Sequence, residues 1–239
     1  IELAELDGTP LKFKPGQFLS VDVTIDGERF RRAYSLSNAC LEGTPTQITV
    51  KRIADGLVSN YLNDTIAAGQ ELSVLGPSGS FTIEPSALKR RHLVMIAGGS
   101  GITPIMSILE TALRVEPGTR VTLIYGNRGW GDVIFRERLN RLCEEFGERL
   151  TVEIGVAGLW EAGDFEDAGR DIDGGEDGGF VDGAGPVRGG EAGAPDDEGG
   201  ADAAFVEVGF VAAVDAGGTF VLGGAVVGAN EDEGIIEEV

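Results

Sequence analysis

The stretch that decides the fold is LVMIAGGSGITP, residues 93–104. Its leading apolar residues predict a buried strand, and the three glycines that follow predict a tight turn. Thr103 is suited to cap a following helix, and Pro104 is suited to its first position. Apolar residues then recur at helical spacing, at Ile102, Ile105, Met106, Leu109, Ala112 and Leu113.

A glycine turn that leads into a helix is a candidate binding site for an anion. The first backbone N–H groups of a helix lack partners and lie at the positive end of its dipole, and glycines let a ligand come close. A dinucleotide pyrophosphate suits such a site. The alternative is a tight connection that binds nothing, because one glycine-rich turn is a weak signal. The candidate residues are Gly98, Gly99, Ser100, Gly101, Ile102 and Thr103.

Length and charge exclude some classes of protein. The 239 residues are enough for two modest domains. The formal net charge of −21 is uneven, since residues 1–155 carry −2 and residues 156–239 carry −19. Neither part has the basic surface of a nucleic-acid-binding protein, so we expect no nucleic-acid partner.

Cysteine content and hydropathy favour a reduced, cytoplasmic setting. Cys40 and Cys143 are too few for a disulfide framework or a four-thiolate cluster, and we expect no metal site. No apolar run approaches the ~18 residues of a membrane span, so we expect no span. Because the chain begins at Ile1 in the middle of a pattern, we expect a further strand before it.

The first third of the chain has the pattern of a small antiparallel β-barrel, in which short strands alternate with turns. We expect these strands at 19–25, 28–35, 47–53 and 71–75. A short helix over 55–62, opened by polar residues, is a second candidate anion site.

One of the predicted strands has more polar and aromatic character than a barrel requires. Arg32, Tyr34 and Ser35 combine a cation, a ring and a hydroxyl, and we expect all three to face one side of the strand. A phosphate, a flat ring and a polar ring edge would match them. Lys51 and Arg52 also place cationic side chains beside the predicted start of a helix. For any one of these residues alone, a solvated or core role is the alternative.

Four motifs occur in the order seen in the ferredoxin-NADP reductase family, which the chain resembles from about residue 15 to residue 154. The similarity is greatest to the reductase components of multicomponent oxygenases. Four motifs in order are more specific than any one of them. They are Arg32-x-Tyr34-Ser35, Lys51-Arg52 with Gly56-x-x-Ser59, Gly76-Pro77-Ser78-Gly79-Ser80-Phe81, and Gly98-Gly99-Ser100-Gly101-Ile102-Thr103-Pro104.

The resemblance implies an FAD site in the first domain. It places Arg32 at a flavin phosphate, Tyr34 against the isoalloxazine ring and Ser35 near the N5 atom of that ring. Tyr34 and Ser35 are therefore the expected catalytic residues. The same resemblance implies that a further set of residues contacts FAD: Leu36, Ser37, Val50, Lys51, Gly56, Val58 and Ser59.

Strands and helices alternate after residue 88, which predicts a doubly wound parallel sheet whose ligand crevice lies beyond the carboxyl ends of the strands. The resemblance implies that the loop after the second of these strands meets the adenosine end of NADPH or NADH. Arg128 is suited to a 2′-phosphate but equally to a plain surface position. The basic run 89–91 is either a solvated loop or a docking patch for an acidic electron-transfer partner.

The composition changes at residue 156. Of the 84 residues that follow, 21 are Gly, 14 Ala, 11 Val and 21 Asp or Glu. Two hypotheses account for this: an acidic insertion that buries too little surface to fold alone, or residue identities altered by a shift of reading frame. We favour the second, because the codons of all five residue types begin with G.

The sequence therefore predicts two domains: an FAD-binding antiparallel β-barrel over 1–87 and an NAD(P)-binding α/β domain over 88–239. The resemblance implies an FAD-dependent NAD(P)H oxidoreductase that passes single electrons to a partner protein, namely a ferredoxin, a Rieske-type protein or a haem protein. Two alternatives stay open. One is the reductase module of a larger flavohaemoglobin-like chain, and the other is a flavin-binding or nucleotide-binding subunit without turnover.

Overall fold

The computed structural model describes residues 1–156 and the backbone of residues 207–214 and 220–227. Most of the segment 156–239, with its unusual composition, lies outside these described ranges. The two hypotheses about its origin therefore concern residues outside the described ones. Within the described helices, none is long and apolar enough to cross a bilayer. The described residues also contain no cluster of side chains that could hold a metal ion.

The N-terminal part is built from five strands and one helix. A three-stranded antiparallel sheet has the order β3-β2-β5, and β1 pairs with β4 in a second, two-stranded antiparallel sheet. The elements are β1 (Glu2–Leu3), β2 (Phe18–Ile25), β3 (Glu28–Ser35), β4 (Thr46–Gln47), α1 (Leu57–Thr65) and β5 (Ser73–Ser78).

The strand predicted over 47–53 is mostly absent from these two sheets. Only β4 and a single bridge between Leu36 and Ile48 are formed. Beyond that point the segment is attached to α1 through side chains: Arg52 bonds Asn60 and Asp64, and Asn63 donates to the Val50 carbonyl. The backbone is thus anchored by helix side chains where a longer ladder was expected.

The first core lies on one face of β2. Because side chains alternate along a strand, Leu19, Val21 and Val23 point to the same side, and all three are buried. They pack with Leu36, Ile48, Val58 and Leu62, which brings α1 onto this sheet.

The second part is an α/β unit with one five-stranded sheet of order β10-β9-β6-β7-β8. Between β6 and α2, residues Gly99–Gly101 form a single 3-10 turn. The elements are β6 (His92–Gly98), α2 (Ile102–Val115), β7 (Arg120–Asn127), α3 (Arg136–Phe146), β8 (Leu150–Val156), β9 (Glu207–Val214) and β10 (Phe220–Val227).

This sheet is mixed, so the predicted parallel pairing holds for three of its five strands and not for the other two. β6, β7 and β8 are parallel as expected, since helices connect them. β9 pairs antiparallel to β6, and β10 pairs antiparallel to β9. The connection from β9 to β10 has too few residues for a crossover, which explains why these two strands are antiparallel.

The second core lies between the sheet and its helices. Leu93, Met95 and Ala97 of β6 face α2, which is buried from Ile102 to Leu113. Because α2 is buried over this length, the residues directly before it, Gly99–Gly101, have little freedom to move. The glycine turn at the N-terminus of α2 is therefore rigidly placed at the carboxyl end of β6.

A buried carboxylate secures the connection between α2 and β7. The Glu116 carboxylate is fully buried and accepts hydrogen bonds from the Arg91 guanidinium, the Thr119 hydroxyl and the Ser86 amide. Lys89 donates to the Glu84 carbonyl. Two cations of the basic run 89–91 therefore have structural roles.

Candidate functional site

The glycine turn at 98–101 lies between β6 and α2 at the carboxyl edge of the parallel strands. Gly98 pairs with Gly126 of β7, so the glycine turn and the end of β7 are adjacent. Gly99 has φ +50°, in the left-handed region that favours glycine. The turn therefore presents backbone at the place where ligands bind in sheets of this kind.

The N-terminus of α2 differs in detail from the prediction. The helix begins at Ile102, and Gly101 holds the capping position without a side-chain hydrogen bond to the first turn. Thr103 is not the cap: it lies within the first turn, where its hydroxyl donates to the Ser100 carbonyl at 3.0 Å. Pro104 is the third helical residue rather than the first. No side chain caps this terminus, but the Ile102 amide donates to the Ser100 carbonyl and Pro104 has no N–H, so the anion site at this turn stays a prediction.

Tyr125 holds the glycine turn in place, and the sequence pattern did not single it out. Its ring is completely buried. Its hydroxyl donates to the Gly99 carbonyl at 2.9 Å and accepts from the Ile134 amide at 3.2 Å. A tyrosine within an apolar strand signals a buried hydroxyl that needs partners, which is the clue that could have found it.

Asn127, the last residue of β7, is a second residue that the sequence analysis missed. Its side-chain nitrogen and oxygen are buried, and neither has a hydrogen-bond partner in the part of the chain that the structure describes. Alternation places Asn127 on the same face of the sheet as Tyr125. Buried polar atoms without partners are uncommon in proteins. The amide of Asn127 is therefore a hydrogen-bonding group at this edge of the sheet that the protein itself does not satisfy among the described residues.

Arg32 and Tyr34 share one face of β3, but Ser35 does not. Arg32 is opposite Val21 and Tyr34 is opposite Leu19, both of which belong to the core face of β2. Ser35 is the next residue along the strand and therefore points to the other face. The expectation that all three face one side is wrong for the hydroxyl, because side chains alternate in a strand.

The Tyr34 ring is half-buried and packs against the first core. Burial raises the pKa of its phenol, and the nearby Arg32 charge offsets this only in part. Tyr34 is therefore neutral at physiological pH. An aromatic surface beside a guanidinium suits a flat ring that carries a phosphate.

Asp22 keeps the other two arginines of β3 on the opposite face. Its buried carboxylate accepts from Arg31 Nε at 2.7 Å and from Arg29 Nη2 at 2.5 Å. Arg32 alone among these arginines shares a face with Tyr34. The hydrogen bonds from Arg31 and Arg29 hold the pKa of Asp22 well below its usual range.

Asp22 is expected to make the fold acid-sensitive. A carboxylate whose pKa is depressed in the folded state adds stability above its unfolded pKa, about 3.9, and this stability is lost as the pH falls below that value. Asp22→Asn should lower the urea midpoint at pH 6 and should differ less from the wild type as the pH approaches 3. Asp26→Asn, in the exposed turn after β2, is the control. A pH-independent difference between Asp22→Asn and the wild type would contradict this assignment.

Leu36 and Ser37 do not present side chains to a ligand. Leu36 is completely buried in the first core. The Ser37 hydroxyl is also buried, 2.8 Å from the Thr49 hydroxyl, and its amide donates to the Gln47 carbonyl. The prediction that they bind a cofactor can hold only for their backbone atoms.

The predicted residues around α1 are brought together. Gly56 is buried at the N-cap of α1, and no side chain caps this terminus. The Ser59 hydroxyl accepts from the Ile53 amide at 3.3 Å and donates to the Gly56 carbonyl at 3.4 Å. Val58 packs in the first core, whereas Val50 and Lys51 are partly exposed. Ser59 therefore shapes the loop before α1, and the first N–H groups of α1 are the feature suited to an anion.

Arg128 follows β7 immediately, at the same edge of the sheet as the glycine turn. It is exposed, as is Trp130 two residues later. The glycine turn, the end of β7 and Arg128 thus line one edge of the sheet. Together they offer backbone donors, a cation and an aromatic surface.

Two family models match most of the described chain. The model described as "Oxidoreductase FAD-binding domain" matches residues 4–83, and the model described as "Oxidoreductase NAD-binding domain" matches residues 95–157. The first contains the Arg32 and α1 sites, and the second contains the glycine turn. The second match ends where the composition changes.

Relatives of known function and a solved structure are similar to the same region. One component of the 1,2-phenylacetyl-CoA epoxidase from Escherichia coli is 40% identical over 139 residues, which are 58% of this chain and 39% of that protein. The ferredoxin reductase component of 3-ketosteroid-9-alpha-monooxygenase from Rhodococcus rhodochrous is 44% identical over 141 residues, which are 59% of this chain and 39% of that protein. The chain thus spans about two fifths of the length of these curated relatives.

The solved structure is the FAD/NAD-binding domain of a nitric oxide dioxygenase from Vibrio cholerae. The two chains are 30% identical, with a TM-score of 0.53, over 64% of this chain and 69% of that one.

Proposed function

Since the chain belongs to the ferredoxin-NADP reductase family and has FAD-binding and NAD-binding domains, we propose that it is an NAD(P)H-dependent flavin reductase that supplies electrons to an acceptor protein. The observation that carries this proposal is that two helix N-termini lack side-chain caps and that Arg32 and Tyr34 share one face of β3. FAD, when bound, accepts a hydride from a nicotinamide and can release electrons one at a time.

The N-terminal residues fit FAD. Tyr34 offers a neutral, half-buried ring for the isoalloxazine, and Arg32 on the same face offers a cation for a phosphate. The uncapped N-terminus of α1 at Gly56 supplies N–H donors for the pyrophosphate. Val50 and Lys51 belong to the segment before α1, whose Val50 carbonyl accepts from Asn63 of that helix. Ser35 is the last residue of β3 and its side chain points to the other face. It can therefore contact the flavin ring through its backbone, or through its side chain at the end of the strand.

The second domain fits a nicotinamide dinucleotide. The N-terminus of α2 and the glycine turn, held by Tyr125, supply donors for the pyrophosphate from Gly98 to Thr103. Arg128 is suited to the adenosine end, for NADPH or NADH. The chain's own contribution is orientation and charge complementarity, and no residue need act as a nucleophile.

We place the boundary between the domains at residue 87, and we infer that the two N-terminal sheets belong to one barrel. The names of the relatives support an oxygenase system as the acceptor, and one of them names a ferredoxin. A Rieske-type or haem protein as the acceptor rests on the family resemblance alone. The sequence has two cysteines, too few to hold an iron–sulfur cluster, so we place such a cluster in another chain or domain.

A second candidate is the reductase module of a flavohaemoglobin-like protein. The similarity to the FAD/NAD-binding domain of the Vibrio cholerae dioxygenase favours it. In this case the acceptor is a haem domain of the same polypeptide. Electron transfer to an added haem domain, compared with transfer to an added ferredoxin, distinguishes the two.

The proposed activity predicts a yellow protein that bleaches with a reduced nicotinamide nucleotide. The chain is purified, reconstituted with FAD and followed anaerobically by absorbance while NADPH and then NADH are added. Loss of the flavin bands with one nucleotide is the expected result, and the nucleotide that works identifies the donor. A yellow protein that never bleaches would indicate a binding protein without turnover, and a protein that does not retain FAD would refute the proposal.

The matched variants are Arg32→Ala and Arg29→Ala. Arg32→Ala removes the cation on the Tyr34 face, whereas Arg29→Ala removes an arginine held by Asp22 on the other face. A charge-assisted bond to phosphate contributes about 1.5–3 kcal/mol, so Arg32→Ala should weaken FAD binding about tenfold or more. Arg29→Ala should leave FAD binding close to that of the wild type. Equal FAD affinity in the two variants would remove Arg32 from the site.

A further inference from the structure

The side chain of Arg138 in α3 joins the two halves of the proposed site. Its Nη1 donates to the Ser37 carbonyl at 3.2 Å, and its Nη2 bonds the carboxylate of Glu110 in α2. Its guanidinium carbon also lies 5.8 Å from the centre of the Phe135 ring. One side chain thus contacts the helix that follows the glycine turn and the segment that follows β3.

Ser37 is rigidly connected to the Arg32 and Tyr34 face. It lies two residues beyond the end of β3, and residues 36–39 are all buried. The Ser37 amide donates to Gln47, and Asn38 Oδ1 accepts from the Gln47 amide at 2.8 Å. A displacement of the Ser37 carbonyl therefore moves the end of β3.

Glu110 links Arg138 to α2, the helix that begins directly after the glycine turn. Its carboxylate is nearly buried and also binds Arg114 one turn later in α2, which in turn binds Glu145 of α3. The ion pairs thus form a series from Arg138 of α3 through Glu110 and Arg114 of α2 to Glu145 of α3. Because α2 is enclosed and begins directly after the glycine turn, its N-terminus and Glu110 move as one body.

A second hydrogen bond fastens the same segment to α2. The Cys40 amide donates to the Thr111 hydroxyl at 2.8 Å, and that hydroxyl donates to the Ser107 carbonyl at 2.5 Å. The segment 37–40 is therefore held at both of its ends. Of the two contacts, only the one from Arg138 involves a charged side chain that bridges three elements.

We propose that Arg138 is a positioning residue for hydride transfer, because it fixes the separation between the glycine turn and the end of β3. This inference rests on the proposed function. Arg138 touches neither reactant, and it acts through the Ser37 carbonyl and the Glu110 carboxylate. The planar guanidinium bonds the two groups through two separate nitrogens, whereas lysine would have to reach both from one nitrogen. A misplacement of about 1 Å is enough to cost about 10²-fold in rate.

The test compares Arg138→Met and Arg138→Lys with Arg141→Met, an exposed arginine on the same helix. In the FAD-loaded protein, stopped-flow absorbance gives the limiting rate of flavin reduction and the nucleotide concentration at half-maximal rate. Arg138→Met should lower the limiting rate about tenfold or more and leave the half-maximal concentration within about twofold. Arg138→Lys should recover part of the rate, and Arg141→Met should match the wild type.

A second readout does not depend on activity. Hydrogen–deuterium exchange of the peptide covering residues 35–40 should be faster in Arg138→Met, with or without FAD, and unchanged in Arg141→Met. FAD content and melting temperature are measured in the same samples. An unchanged limiting rate overturns the inference, and so does a rate that falls only in proportion to lost FAD. If Arg138→Met does not fold, Arg138→Lys decides. A wild type that binds FAD but never bleaches refutes the proposed function instead.

Discussion

Gly16→Ala is expected to be the most disruptive single substitution in the N-terminal part. Gly16 has φ +96°, and a Cβ added there would lie 2.0 Å from the Phe81 carbonyl oxygen and 2.9 Å from Ile108 Cδ1 of α2. Neither atom can move alone, since one is backbone and the other is in the second core. We expect a loss of about 4 kcal/mol or more in the free energy of unfolding, read from urea titration.

Gly27→Ala is the matched control. Gly27 has φ +87°, but a Cβ there would meet nothing within 4 Å. It should lose only the cost of the left-handed backbone, about 1–2 kcal/mol. The difference in the free energy of unfolding between the two variants measures the cost of the steric clash at residue 16. Because total stability is about 5–15 kcal/mol, Gly16→Ala is expected to reduce soluble yield sharply. Equal losses in the two variants would show that Gly16 does not contact Phe81 and Ile108 this closely.

Glu116→Ala is the second substitution with a large expected effect. The carboxylate is completely buried, and the side chain of its partner Arg91 is 13% exposed. Alanine leaves the Arg91 guanidinium, the Thr119 hydroxyl and the Ser86 amide without their acceptor. Removing one partner of a buried ion pair costs about 3–5 kcal/mol, because the remaining charge stays buried. The urea midpoint should fall accordingly, with little change in slope.

Two comparisons test the cause of that loss. Glu145→Ala breaks an exposed pair with Arg114 and should cost at most about 1 kcal/mol. The double variant Glu116→Leu with Arg91→Met removes both charges and should recover much of the stability. If Glu116→Ala and Glu145→Ala lose the same amount, then the buried pair contributes no more than a surface one.

Periodicity was sufficient for most of the elements. The bounds of β3 match the prediction, and β2, β6 and α2 differ from it by a few residues, since these elements are strongly apolar on the side that faces a core. The strand predicted over 47–53 failed because Arg52 and Asn63 attach it to α1, a contact between residues far apart in the pattern. The antiparallel pairing of β9 also depends on tertiary structure, which a strand's own composition does not encode.

The candidate site was predicted unevenly. The glycine turn and the Arg32–Tyr34 pair come from local patterns, so they could be found from residue order. Ser35 does not share the face of Arg32 and Tyr34, because adjacent residues of a strand point to opposite faces. Tyr125 and Arg138 were missed because their roles depend on partners as far as 26 and 101 residues away, and Asn127 was missed because its role depends on burial alone.

The burial of the ion pairs that fix the nucleotide-binding half has a consequence for ionic strength. The side chains of Arg91–Glu116 and Arg138–Glu110 are at most 24% exposed, whereas those of Lys14–Glu84 and Arg52–Asp64 are more than half exposed. Dissolved ions screen exposed charges over about 8 Å at 0.15 M but scarcely reach buried ones. Added salt should therefore slow the encounter with a charged acceptor while leaving the internal geometry intact, so the two steps can be separated by ionic strength alone.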